Sequence, residues 1–376
     1  MDRLQTPLTD LLGIKYPILL AGMSLGMDDR MPSPPRLAAA VTEAGGLGVM
    51  GCGSRKPDTI DQCITEFRRL SGGPLGIDLL LPATMAEMGA QDTKSMVRER
   101  LERDHPRHVG FVRELMEEHN LPPVEPADDD AEAMSPDLLR RQFQVVADHN
   151  VPVFVAGLGD PAMIMDVARA HGMKVGGVVG AVRHAQRQKA AGVDFMIAQG
   201  TEAGGHTGNI ATFPLVPQVA DTVAPTPVLA AGGVGSGRQI AAAMALGAQG
   251  VWVGSAFLVA EENAIPTEHQ DQILGARSED FTLTKYNTGK QSRSYRTPVK
   301  EAWATSGLEP LPMPLQGILM EPLYTGARRA GRLDIDAASA GQVGGMLTAR
   351  RPARDILLDM VNEAEETIER MRGNLR

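Results

Sequence analysis

The segment richest in usable chemistry is Gln199-Gly-Thr-Glu-Ala-Gly-Gly-His206-Thr-Gly208. An imidazole titrates near neutrality, which suits removal of a proton from a carbon acid, and flanking glycines let a planar ring or a substrate approach. A lone histidine is more often structural, and His105, His108, His119, His149, His171, His184 and His269 are read that way. His206 differs because it lies in a glycine-rich loop after the apolar run Phe195-Met-Ile-Ala198, and it is the candidate catalytic residue. Glu202 either orients this loop or pairs with a cation; the sequence leaves both open.

Ala230-Ala-Gly232-Gly233-Val-Gly-Ser-Gly-Arg-Gln has the form of a phosphate cradle. Glycines at the end of an apolar run bring backbone N–H groups to an anion, and a helix starting near Ser236 would aim its positive end at the same place. Gly254-Ser255 closes the next apolar run. Each could be an ordinary turn, but the pair together favours phosphate binding, with FMN as the leading ligand and a phosphorylated substrate second. Two further motifs fail their context. Gly46-Leu-Gly-Val-Met-Gly51 matches G-x-G-x-x-G, yet it ends a helix and enters a strand, the reverse of a dinucleotide loop, so it reads as a cap with tight packing. Gly22-Met-Ser24-Leu-Gly26 matches a serine-hydrolase elbow, but no helix follows directly and the motif lies on the first strand. A hydrolase, or a non-catalytic flavin- or phosphate-binding barrel, is a weak competitor.

These residues need a scaffold that gathers loops. Eight apolar runs qualify as strands: Pro17–Gly22, Leu47–Gly51, Leu75–Leu81, Val151–Ala156, Lys174–Val179, Phe195–Ala198, Pro227–Ala231 and Gly250–Gly254. Helical patterns closing on glycine lie between them, as at Arg36–Gly45, Pro161–Gly172, Ala181–Gly192 and Ser236–Gly247. Continuous apolar strands joined by helical crossovers imply a parallel sheet covered on both faces, and eight of them imply a (β/α)₈ TIM barrel. The two glycine turns then follow strands seven and eight, the usual phosphate site of such barrels. The expected layout is a barrel over 1–260 with an insertion at 82–150 after strand three. That insertion holds a charged helical stretch at 93–120, an acidic Pro-rich loop and a helix near Pro136–Asp148. A C-terminal extension over 261–376, ending in an amphipathic helix, packs on the barrel and its active-site face.

Length and composition agree with one large domain: 376 residues, 43% of them hydrophobic. A net charge of −9 without a Lys/Arg-rich run argues against nucleic acid or an anionic membrane as partner. A CoA-type ligand would need only a local basic patch. Cys52 and Cys63 are too few for a disulfide framework or a four-cysteine zinc site, so no metal is expected and a reducing cytoplasm is. The N-terminal apolar stretch is too short to span a bilayer and lacks signal-peptide order. The sequence does not set the oligomeric state, and a homo-oligomer is compatible with it.

With these residues assembled, the chain resembles the nitronate monooxygenase family, formerly 2-nitropropane dioxygenases, from Tyr16-Pro-Ile18 to Glu262 and again at Leu311–Gln316 and Ala340–Gly344. Its most specific pieces are Ala198-Gln199-Gly200 with Glu202-Ala-Gly-Gly-His206, the Gly232-Gly233 turn, and Gly254-Ser255. The resemblance implies FMN as cofactor and His206 as the base that removes the α-proton of a nitroalkane. It implies FMN contacts at Gly22, Met23, Gln199, Gly204, Gly205, Gly232, Gly233, Trp252, Val253, Gly254 and Ser255. A nitronate would reduce the flavin and O2 would reoxidise it, with neither metal nor nicotinamide. Asp78 stands where many members have asparagine, and Trp252-Val-Gly-Ser255 where many have Gln-Met-Gly-Thr; both departures bear on the flavin ring and the substrate. FMN-dependent enoyl-acyl-carrier-protein reductases share the Glu-Ala-Gly-Gly-His element and the Gly-Gly turn. They imply an alternative, an NAD(P)H-dependent reductase of an enoyl thioester or quinone, or a CoA-thioester dehydrogenase. There His206 donates a proton or polarises the substrate, and the insertion and tail leave room for a bulky one.

Overall fold

A computed structural model of the chain describes residues 4–24, 31–53, 55–81, 92–124 and 135–374. The apolar runs become β1 (Ile18–Leu20), β2 (Gly48–Gly51), β3 (Leu75–Leu81), β4 (Val153–Gly159), β5 (Lys174–Val179), β6 (Phe195–Gln199), the two-residue β7 (Gly205–His206), β8 (Val228–Ala231) and β9 (Gly250–Val253). All but β7 join one parallel sheet in the order β1-β9-β8-β6-β5-β4-β3-β2. A bridge between Leu19 and Leu47 brings the first and last strands together. This is the (β/α)₈ TIM barrel, with β8 and β9 as its seventh and eighth strands.

The strands are apolar throughout because both faces are covered. Alternation splits β1 cleanly: Ile18 and Leu20 belong to the outer cluster beneath the helices, while Leu19 and Ala21 belong to the inner one with Val155, Ile197, Ala231 and Trp252. Helix α1 (Pro7–Leu12) contributes Leu8 and Leu12 to that inner cluster, which places it at the strands' amino ends.

The crossover helices are α2 (Pro35–Glu43), α3 (Pro57–Leu70), and, after α4 (Lys94–Asp104) and α5 (Pro106–Glu118), α6 (Pro136–Asp148); then α7 (Met165–Ala170), α8 (Val182–Ala191), α9 (Thr212–Val223) and α10 (Gly237–Ala245). Several begin on proline, whose missing N–H costs nothing in a first turn. Proline also divides the stretch expected as one helix over 93–120: Pro106 cannot donate back to the preceding turn, so α4 stops at Asp104 and α5 starts afresh. Within the insertion, α6 packs on β3 and α3 as an ordinary crossover, whereas α4 and α5 lean away from the ring. The acidic run at 125–130 lies outside the described residues.

Beyond β9 come α11 (Ser255–Leu258), α12 (Thr267–Gly275), the hairpin of β10 (Phe281–Thr284) and β11 (Ser292–Tyr295), α13 (Pro298–Thr305), α14 (Leu315–Arg329) and α15 (Ala353–Asn374). The last helix packs against α10 and α2 on the barrel's outside. A separate apolar cluster joins the insertion to this tail: Val97, Leu101, Val112 and Leu115 from α4 and α5 meet Val299, Trp303, Leu319 and Leu323. Among the described residues no helix is long and apolar enough to cross a membrane.

Candidate active site

The carboxyl ends of the strands open on a cavity of about 1200 Å³. Its lining includes Gly22 and Met23 after β1, Asp78 on β3, Gln199 at the end of β6, and Gly204, Gly205 and His206 in the loop that follows. Gly232 and Gly233 after β8, Trp252 on β9, and Gly254 and Ser255 beyond it complete the set. Of the sequence-predicted site residues, Val253 stands apart. Its side chain is fully buried in the outer cluster, because neighbouring strand residues point to opposite faces and Trp252 takes the inner one. Ser24 also lines the cavity, but α2 begins only at Pro35, so strand and helix lack the tight junction of a hydrolase elbow.

His206 belongs to β7, which pairs antiparallel with β11, His206 opposite Ser292. Its Nε2 lies 2.9 Å from Thr288 Oγ1, and Gln199 Nε2 donates to its carbonyl at 2.7 Å. Burial, assisted by the Lys290 ammonium, lowers the imidazole to about 4, so the ring is neutral at pH 7 and retains a lone pair for a proton. The rest of the loop is tied to the glycine turn. Glu202 accepts from the backbone N–H and hydroxyl of Thr212, at 3.0 and 2.9 Å, and Thr212 Oγ1 also lies 2.9 Å from the Gly232 carbonyl oxygen. Glu202 therefore orients a loop, the first of the two roles left open.

Gly232 and Gly233 carry φ of +88° and +75°, the left-handed region open to glycine. A Cβ on Gly232 would lie 2.7 Å from the Gly200 carbonyl oxygen, while Gly233 faces open space apart from the Glu202 side chain. The helix behind the turn contributes less than its sequence position implied. The N–H of Gly237, first in α10, donates to Glu363 Oε2 at 2.7 Å, and that of Gly235 to Gln239 Oε1 at 2.8 Å. α15 presses so closely on α10 that a Cβ at Gly237 would fall 2.2 Å from Ala364 N, and its carboxylate occupies the helix end. What the turn offers an anion is its own backbone, with Ser255 across from it. Ser255 Oγ accepts the Gly341 N–H at 2.8 Å, which leaves its hydroxyl hydrogen to donate.

Several residues of the site gave no sequence signal. Ser33, fully buried, accepts from the N–H groups of Met23 and Gly51 and donates to Met23 O, holding the loop after β1 against the end of β2. The segment around Ala340 and Gly341 straps the cavity: a Cβ on Gly204 would fall 2.5 Å from the Ala340 carbonyl carbon, and Gln342 N donates to Glu202 O. Asn287, Thr288, Met313, Pro314, Ile318 and Val343 add tail residues to the lining. Arg293, 5% exposed, grips the His206 loop through Thr201 O at 2.9 Å. Only the resemblance at Leu311–Gln316 and Ala340–Gly344 hinted at any of this; Ser33 acts through contacts 10 and 18 residues away, and Arg293 grips Thr201 across 92.

A barrel with a cavity at its carboxyl face, lined by glycine turns after its last two strands and by His206 from the loop after β6, is the frame of an α/β-barrel oxidoreductase. The chain belongs to the nitronate monooxygenase family, whose model matches residues 5–363. It is 37% identical to a protein of Mycobacterium tuberculosis named as a monooxygenase, over 98% of this chain and 99% of that one. With a protein of Staphylococcus saprophyticus named as a nitronate monooxygenase it shares 32% identity over 77% and 78% of the two chains. Among solved structures, nitroalkane oxidase from Streptomyces ansochromogenes superposes with a TM-score of 0.79 at 30% identity, covering 97% of this chain and 99% of that one. FabK from Thermotoga maritima gives 0.75 at 31%, covering 98% and 99%.

Proposed function

We propose that this protein is an FMN-dependent oxidoreductase that oxidises alkyl nitronates with O2, His206 managing the substrate's α-proton. The observation that carries the reading is a half-buried imidazole, its pKa lowered by desolvation, on the same cavity wall as two glycine turns. FMN, when bound, supplies a two-electron acceptor that O2 reoxidises. The turn backbone at Gly232 and Gly233 and the Ser255 hydroxyl would hold its phosphate, a fit supported by the left-handed glycines and the open space at Gly233. Gly22, Met23, Asp78 and Trp252 would line its ring. Thr288 fixes the imidazole plane through Nε2, and the Ala340–Gly341 strap keeps water from one side of the cavity. The two free cysteines support a reducing, cytoplasmic setting. Adding a nitronate under anaerobic conditions is expected to bleach the flavin absorbance of the purified protein; an unchanged spectrum would sink the proposal.

One observation favours a second reading. The cavity has to house FMN as well as a substrate, and its wall carries Arg55, Lys56 and Arg141, a basic patch beyond what the cofactor phosphate needs. Such a space suits a bulky anionic substrate, as in an NAD(P)H-dependent reductase of an enoyl thioester or quinone, or a CoA-thioester dehydrogenase. Bleaching by NADH or NADPH, or by an acyl-CoA alone, with no response to nitronate would decide for that reading.

A further inference from the structure

Asp78 stands on β3, in register with Gly51 on one side and Val155 on the other. Its carboxyl group is pressed between two backbones. A Cβ on Gly22 would fall 2.2 Å from the Asp78 Cβ, and one on Gly157 would fall 2.2 Å from its Oδ1. The side chain is 7% exposed, lines the cavity, and its Oδ1 has no hydrogen-bond partner among the described residues. Among the described residues the titratable group facing it is Cys52, just after β2, and Arg55 in the loop that follows lines the same cavity. Burial holds the group well above the usual carboxylate range, and the Gly157 N–H offsets this only in part. A buried carboxylate is costly there, whereas a carboxylic acid keeps one donor and one acceptor at no cost in charge.

We propose that Asp78 is kept as a neutral carboxylic acid that presents its O–H to the cofactor ring as a hydrogen-bond donor, the service an amide N–H would give. The proposal rests on the FMN reading above. An ionised Asp78 could only accept, and it would set a negative charge against a ring that becomes electron-rich when reduced. The proton therefore belongs to the complex more than to the empty protein. By linkage, FMN affinity falls as pH rises above the point where the empty protein releases that proton, by about tenfold per pH unit.

Two measurements on the full chain test this, with Asp78→Asn as the isosteric amide. Infrared spectra of the FMN-free native protein at pH 7 should carry the C=O stretch of a protonated carboxyl that Asp78→Asn lacks; no difference in that region overturns the proposal. FMN dissociation constants across alkaline pH should climb for the native chain and climb at least tenfold less for Asp78→Asn. Titrations of the FMN phosphate and ring are common to both chains and cancel in the comparison. Equal slopes overturn the proposal too. Failure of the native chain to bind FMN at any pH would instead overturn the flavin reading, while the infrared band still reports whether Asp78 is protonated.

Discussion

The His206 imidazole shows how much of a residue's chemistry is set by what surrounds it. In an unfolded chain it would titrate near 6.5; burial and Lys290 bring it to about 4 in the fold. As pH falls between those values, the unfolded chain takes up a proton that the folded chain refuses, so stability is lost on acidification. Between pH 7 and pH 5 this group should account for about 2 kcal/mol. Urea midpoints of the native protein and His206→Gln at the two pH values check this: the native protein should lose more. The same shift predicts that flavin reduction by substrate is flat above about pH 6 and declines towards pH 4, where the base becomes protonated. Lys290→Gln should move that decline to higher pH, and an unmoved profile would remove Lys290 from the account.

Among the elements, the decisive arrangement is a set of loops held by other loops. Glu202 clasps Thr212, Thr212 reaches the Gly232 carbonyl, and Gly341 caps Ser255, so the histidine loop, both glycine turns and the tail strap form one hydrogen-bonded unit. Gly204 is where the strap comes nearest: any side chain there meets the Ala340 and Gly341 backbone within 2.6 Å. Gly204→Val should displace the strap, cost about 1–3 kcal/mol in chemical denaturation and weaken FMN binding at least tenfold. Retention of native affinity, measured by flavin fluorescence quenching, would show that the strap plays no part in the site.

At the scale of the whole molecule, the described residues build two kinds of apolar centre: the clusters of the barrel, and one shared by insertion and tail. The second is anchored by Trp303, 1% exposed, stacked on Tyr286 of the tail with centroids 5.4 Å apart and met edge-on by Phe111 of the insertion at 5.1 Å. Insertion and tail, separated in sequence by most of the barrel, are therefore one packed body. Trp303→Ala should cost about 3–5 kcal/mol. The sequence has only two tryptophans, so Trp252 fluorescence in that variant reports the cavity wall of the barrel alone. If insertion and tail hold the mouth of the barrel, helical signal should be lost before Trp252 responds; coincident transitions would mean that the two centres unfold as one.

The sequence by itself determined the barrel, its strand list and the glycine turns. Apolar runs that must be covered on both faces and glycines that close helices are local signals, readable without neighbours. It also named His206 and Ser255, whose residue type and loop position carry that much, while Asp78 entered only through the family resemblance. Tertiary structure alone decided what those residues are chemically. The lowered pKa of His206 needs a desolvated pocket and Lys290, and the raised pKa of Asp78 needs burial against the backbone at Gly22 and Gly157. The donor role of Ser255 needs Gly341, and the capped end of α10 needs Glu363 from the last helix. Each is a contact between residues far apart in the chain, and desolvation and close packing exist only once those segments meet.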